Sequence, residues 1–149
     1  MRIMARAIAL SPVVLICTGV SASIQADNQR ALAALQSRAE QAEPRDRCFL
    51  YAQLVNRLTD LAGQQFNSGD SVQASETLKQ VQRYAQEIRS GIGDDTNKLN
   101  DSELILSRTM FLLQELLHEA SYEDRPALES TIRLLDQVRT KLLIQVFAK

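Results

Sequence analysis

From residue 27 onward the chain holds almost nothing that stops a helix. Its prolines there are Pro44 and Pro126, and its glycines are Gly63, Gly69, Gly91 and Gly93. Between them run long stretches rich in Ala, Leu, Gln, Glu, Arg and Ser with few β-branched runs, a composition that favours helix over strand. A chain punctuated this sparsely folds as a few long helices that turn at those points, and the spacing of its apolar residues divides it into five.

The first helix is expected over about Asp27 to Glu43, with Leu32, Leu35, Ala39 and Ala42 on one face. That face is mostly alanine, so it packs closely but buries little. The second opens at Pro44, whose fixed φ and missing N–H suit a first helical turn, and runs to about Phe66. Tyr51, Leu54, Val55, Leu58, Leu61, Ala62 and Phe66 form its broad stripe. After the turn NSGD, Asp70 or Ser71 caps a third helix with a narrow seam of Ala74, Leu78, Val81, Ala85 and Ile88. A fourth begins between Asp94 and Asp101 and ends near Ala120. Leu104, Ile105, Phe111, Leu112 and Leu116 widen its stripe well beyond one face, which marks it as the most buried member. SYEDRP turns the chain into a fifth helix carrying Leu128, Ile132, Leu135, Val138, Leu142 and Val146.

The fold class is therefore all-α: an antiparallel helical bundle of two helical hairpins, helices two with three and four with five, plus the N-terminal alanine-rich helix laid across or beside them. A shift of 54 residues aligns Leu50 with Leu104, Leu58 with Leu112, Ala62 with Leu116, Asp70 with Asp124, Ala74 with Leu128, Leu78 with Ile132 and Val81 with Leu135. These matches mark the hairpins as similar, a similarity that apolar spacing alone also produces. The stretch LAGQQFNSGDSVQASETL, with Gly63, Phe66, Gly69, Asp70, Ala74 and Leu78, resembles in shape the hairpin of a tetratricopeptide repeat. The resemblance covers one hairpin, and the 54-residue offset departs from that family's period of about 34 residues.

Residues 1–26 read as a cleaved secretory signal peptide. Arg2 and Arg6 precede the short apolar run AIALSPVVLICTGV, and SASIQA supplies small residues for cleavage after Ala22 or Ala26. Lipidation of Cys17 is disfavoured by the bulky Ile16 before it. The expected product is a single α-helical bundle domain, 27–149, secreted or periplasmic, with no stable membrane anchor. It carries 15 of the 17 basic side chains and all 18 acidic ones, a net of −3. No basic stripe exists to neutralise phosphates, so nucleic acid is not an expected partner.

Chemistry-bearing residues are few. Glu115 and His118 form a Glu-x-x-His step of the kind that carries metals in di-iron bundles, yet His118 is the only histidine and a second step cannot exist. GDDTNKLNDSE, residues 93–103, gathers carboxylates and amides but lacks the internal glycine of an EF-hand loop. Acidic residues that complement a helix start explain it better. Cys48, with Arg45 and Arg47 nearby, falls on the apolar stripe with Tyr51, Val55, Leu58 and Ala62. It reads as a packed thiol sheltered by the third helix near Ile88, in preference to a reactive or bridging one. No catalytic, cofactor-binding or metal-binding residue is assigned, no cofactor is expected, and the chain is not expected to be an enzyme.

The expected function is protein–protein interaction or self-association through a helix face. The alternative is small-molecule binding in an apolar pocket between helices four and five, where the apolar surface is widest. Mass spectrometry of the exported protein should find a start between Ser23 and Asp27; an intact Met1 or a lipid on Cys17 would show the leader reading to be wrong.

Overall fold

The computed structural model describes residues 20–148. All of its regular structure is helical: α1 (Val20–Gln41), α2 (Pro44–Asn67), α3 (Ser71–Gly91), α4 (Leu99–Glu119) and α5 (Arg125–Phe147). Most of the expected leader lies outside the described residues, and α1 runs through Ala22 and Ala26 without a break.

The first helix was expected to open at Asp27, but α1 already begins at Val20; local chemistry places the start of α2 and the α2–α3 turn where the sequence suggested. Pro44 opens α2. The α2–α3 turn takes Gly69 to a φ of +82°, a left-handed conformation that costs glycine little. Asp70 then caps α3, its carboxylate accepting from the Gln73 N–H at 3.2 Å. Across the molecule, the Asp124 carboxylate at the start of α5 accepts from Ser121 at 2.7 Å and from Ser71 of α3 at 3.1 Å.

Two antiparallel hairpins lie side by side. In the first, the Tyr51 and Tyr84 rings stack at 5.5 Å, and Thr77 donates to Gln65 at 2.7 Å near the turn. In the second, Arg139 of α5 donates to Glu103 of α4 at 2.7 Å. Ser107 donates to the same carboxylate, and the two bonds hold the Glu103 carboxyl below the usual carboxylate range. Between hairpins the helices run parallel. Asp46, Asn56 and Gly63 of α2 meet Asn97, Thr109 and Leu116 in ascending order, and Ser71, Gln82 and Arg89 of α3 likewise meet Asp124, Thr131 and Gln137. The ring of neighbours is thus α2–α3–α5–α4, with α1 packed on α2 alone.

The 54-residue offset has a structural counterpart in core register. Buried Ala74, Thr77, Val81, Tyr84 and Ile88 of α3 are followed 54 residues later by buried Leu128, Thr131, Leu135, Val138 and Leu142 of α5. Cys48, Ala52, Val55 and Thr59 precede buried Ser102, Leu106, Thr109 and Leu113 in the same way. The surroundings differ at one such pair: Tyr51 stacks on its own hairpin partner, whereas Ile105, 54 residues on, stands beside a hollow over α2.

The helix at the centre of burial is α2, not α4. Ten residues of α2 are buried against five of α4, because α2 is covered by α3, α4 and α1 while α4 has only α2 and α5 beside it. The extra apolar width of α4 turns outward instead, leaving Leu104 68% and Phe111 61% exposed.

Leu113 is fully buried at the middle of α4. Leu113→Ala should cost about 2–5 kcal/mol, whereas Leu104→Ala should stay within about 0.5 kcal/mol of the parent. Urea denaturation of the two variants measures both, and equal effects would place the core on the wrong side of α4.

Candidate functional site

The residues singled out by their chemistry do not come together. Cys48 is 2% exposed. Burial pushes its thiol up from the ordinary value, while a hydrogen bond with Ser102 pulls the other way. That contact comes from α4. Cys48 belongs to the α2 face that looks into the bundle, and α4 starts beside it; Ile88 lies in the same core. His118 is exposed in the last turn of α4, with Nδ1 2.7 Å from the Gln114 carbonyl of its own helix. Glu115 faces a hollow elsewhere on α4. Among the described residues no group of three or more His, Cys, Asp or Glu side chains is disposed to hold a metal ion.

The polar segment before α4 is a structural tie. The Asn97 N–H donates to the Arg45 carbonyl at 2.8 Å and its side chain to Asp46 at 2.8 Å. Asp94 accepts from Gln145 of α5 at 2.8 Å, and the Gly93 N–H is bound by Thr96 Oγ1 at 2.8 Å. Lys98 takes a φ of 52° and lays its ammonium 4.4 Å over the Phe49 ring. Of the acidic residues in this stretch, Asp101 is the one in the first turn of α4; Asp94 and Asp95 precede the helix.

Buried hydroxyls within the apolar stripes escaped the sequence reading. Thr59, Thr77, Ser102, Thr109 and Thr131 are all buried, and each donates to a carbonyl three or four residues back or to a nearby amide. A hydroxyl that bonds its own helix can sit in a core at little cost, so these residues knit neighbouring helices. Asn56 donates to Thr109 at 3.0 Å and Gln82 to Thr131 at 2.8 Å.

A groove of about 820 Å³ between α1, α2 and α4, partly open to solvent, has room for a ligand. It arises because α1 and α4 both pack on α2 and not on each other. At its C-terminal end α1 comes in close, with Ala39 fully buried. Toward its N-terminus the face changes to Leu35, Leu32 and Ala31, which form one wall of the groove. The opposite wall is Ile105, Leu112 and Leu116 of α4, ending in Glu115 and Glu119. The α2 floor between them is mostly polar, with Gln53, Asn56, Arg57, Asp60, Gln64 and Asn67, and is interrupted by Leu61 and Gly63. Gly63 faces Leu116 of α4, and a Cβ there would lie 3.3 Å from it. The hollow is thus on the α2 side of α4, away from the α4–α5 seam where a pocket was expected.

No family model matches the chain, and neither does any curated protein or solved structure. The class that the fold and groove define is a two-hairpin α-helical bundle with a three-helix side groove.

In a Cys17→Ser background, Cys48 should react slowly with a water-soluble maleimide in the folded protein and rapidly in denaturant, because its thiol is both covered and kept protonated at neutral pH. Fast native labelling, or a disulfide-linked dimer on non-reducing purification, would restore the reactive or bridging thiol.

Proposed function

We propose that the protein is an exported, non-enzymatic helical bundle that acts by binding another polypeptide in the groove between α1, α2 and α4. The observation that supports this reading is the groove's construction from apolar walls and a polar, hydrogen-bonding floor along one continuous helix. A site of that kind takes an elongated ligand with both apolar and polar groups, which a polypeptide segment provides. Export rests on the leader-like residues 1–26. Among the described residues no helix is long and apolar enough to cross a membrane.

Small-molecule binding is the second reading, and it moves from the α4–α5 seam to the same groove, whose volume falls within the range of such sites. Self-association has its own surface in the exposed Leu104 and Phe111 of α4, but these residues stand apart from the groove's lining.

A photo-crosslinking residue at Gln64, on the floor, separates the readings when compared with one at exposed Asp136 on α5. Discrete polypeptides should be captured from position 64 alone and be displaced by excess unmodified protein. Equal capture from both positions, or no capture together with a small molecule retained in native mass measurement, would overturn the proposal.

A further inference from the structure

The groove floor is a ladder of polar side chains on one side of one helix. Gln53, Asn56, Asp60, Gln64 and Asn67 follow at steps of three and four residues, the spacing that stacks side chains above one another. Asn56 is committed to Thr109. Among the described residues, no protein group pairs with the side chains of Gln53, Asp60, Gln64 or Asn67. Each carboxamide offers a donor and an acceptor together, the combination that a peptide unit needs for its own C=O and N–H.

Dimensions favour an extended chain over a helix. A four-residue step on α2 rises about 6 Å, and two residues of extended chain rise about 6.6 Å, so successive rungs meet successive peptide groups on the same side of a strand. From Gln53 to Asn67 the floor spans about 21 Å, which accommodates about six extended residues. A helical ligand satisfies its backbone internally and leaves such rungs unmatched.

The walls sort the side chains of that strand. Alternate residues point to opposite sides, so one set meets the apolar Ala31, Leu32 and Leu35, and the other meets Ile105, Leu112 and Leu116 before reaching Glu115 and Glu119. Electrostatics distinguishes the two ends. Asp60, Glu115 and Glu119 line the groove, with Arg57 as the one cation among the described lining residues. Because α2 and α4 are parallel, both also bring their C-terminal carbonyls to the end near Asn67 and Glu119, where a helix favours positive charge.

We infer that the groove binds an extended segment of a partner protein, about six residues long, with apolar side chains against α1 and a basic side chain at the end where α2 and α4 finish. This rests on the reading of the groove as a polypeptide site.

Fluorescence anisotropy with the full chain tests it. The probe is a labelled peptide of about eight residues that alternates Val with Thr and replaces the last two Thr with Lys. It is compared with the same peptide N-methylated at alternate amides, with Glu in place of Lys, and with a helix-stapled peptide of equal composition. The parent should bind, and N-methylation or Glu should each weaken it at least about tenfold. The double variant Gln53→Leu, Gln64→Leu should weaken the parent but add little to the loss caused by N-methylation, because both remove the same bonds. Tighter binding of the stapled helix, or additive losses in that cycle, would overturn the inference while leaving polypeptide binding intact. If the parent peptide fails to bind, the extended-segment inference falls, and crosslinking from position 64 then decides whether the broader reading falls with it.

Discussion

The arrangement depends on where α4 begins. After α3 the chain could have turned straight back and laid α4 against α3, giving a ring in which every sequential pair is adjacent. The segment Ile92–Lys98 instead crosses to the start of α2, where Asn97 bonds both the Arg45 carbonyl and the Asp46 carboxylate. These bonds use carbonyl and carboxylate groups of α2's first turn, and Lys98 over Phe49 holds the next residue down. With its start fixed beside the start of α2, α4 must run parallel to it. Ser102 then falls on Cys48 and Leu116 on Gly63.

That parallel pair decides which surfaces are covered. A helix with two neighbours buries about half its perimeter, so α4 keeps an outward face however apolar its sequence is. With three neighbours, α2 loses more of its perimeter than any other helix, and the strip between α1 and α4 stays open. Small residues set the spacing at both borders of this strip. Gly63 admits Leu116 on one side, and Ala39 lets α1 approach on the other. Where α1 carries Leu32 and Leu35 in place of alanine, its separation from α4 is the width of the groove.

Helix number, the helix ends after α1 and most core-facing stripes were legible because each rests on local chemistry, while the start of α1, expected at Asp27, lies at Val20. Pro44, Asp70 and the Gly69 turn acted as their residue types dictate, and the buried positions of α3 and α5 follow the periodicity of their sequences. The ring order was not legible, since it rests on Asn97 reaching residues about fifty positions earlier. Nor was the groove. Its floor of Gln53, Asp60, Gln64 and Asn67 has the pattern of an ordinary solvent-facing strip on α2, and only the placement of α1 and α4 on either side turns that strip into a concavity. Leu104 and Phe111 misled for the same reason: apolar width measures how much a helix could bury, while neighbour count determines how much it does.

Among the described residues, the α1–α2 interface that shapes the groove has no side-chain hydrogen bond between its two helices. Elsewhere each helix pair is reinforced by polar bonds across it: Asn56 to Thr109, Gln82 to Thr131, Arg139 to Glu103. Among the described residues, the side-chain bonds of α1 stay within its own helix, as Gln36 to Glu40 and Gln41 to Ser37, and Arg47 caps the chain just beyond it at the Ala42 carbonyl. Its apolar face is largely alanine, which buries little area per residue, so burial stabilises α1 least of the five. Local stability follows the number of buried contacts. The width of the groove is therefore the softest dimension of the fold. Anything that fills the hollow adds buried surface to Leu32 and Leu35, and so strengthens the docking of α1 in proportion to its own binding free energy.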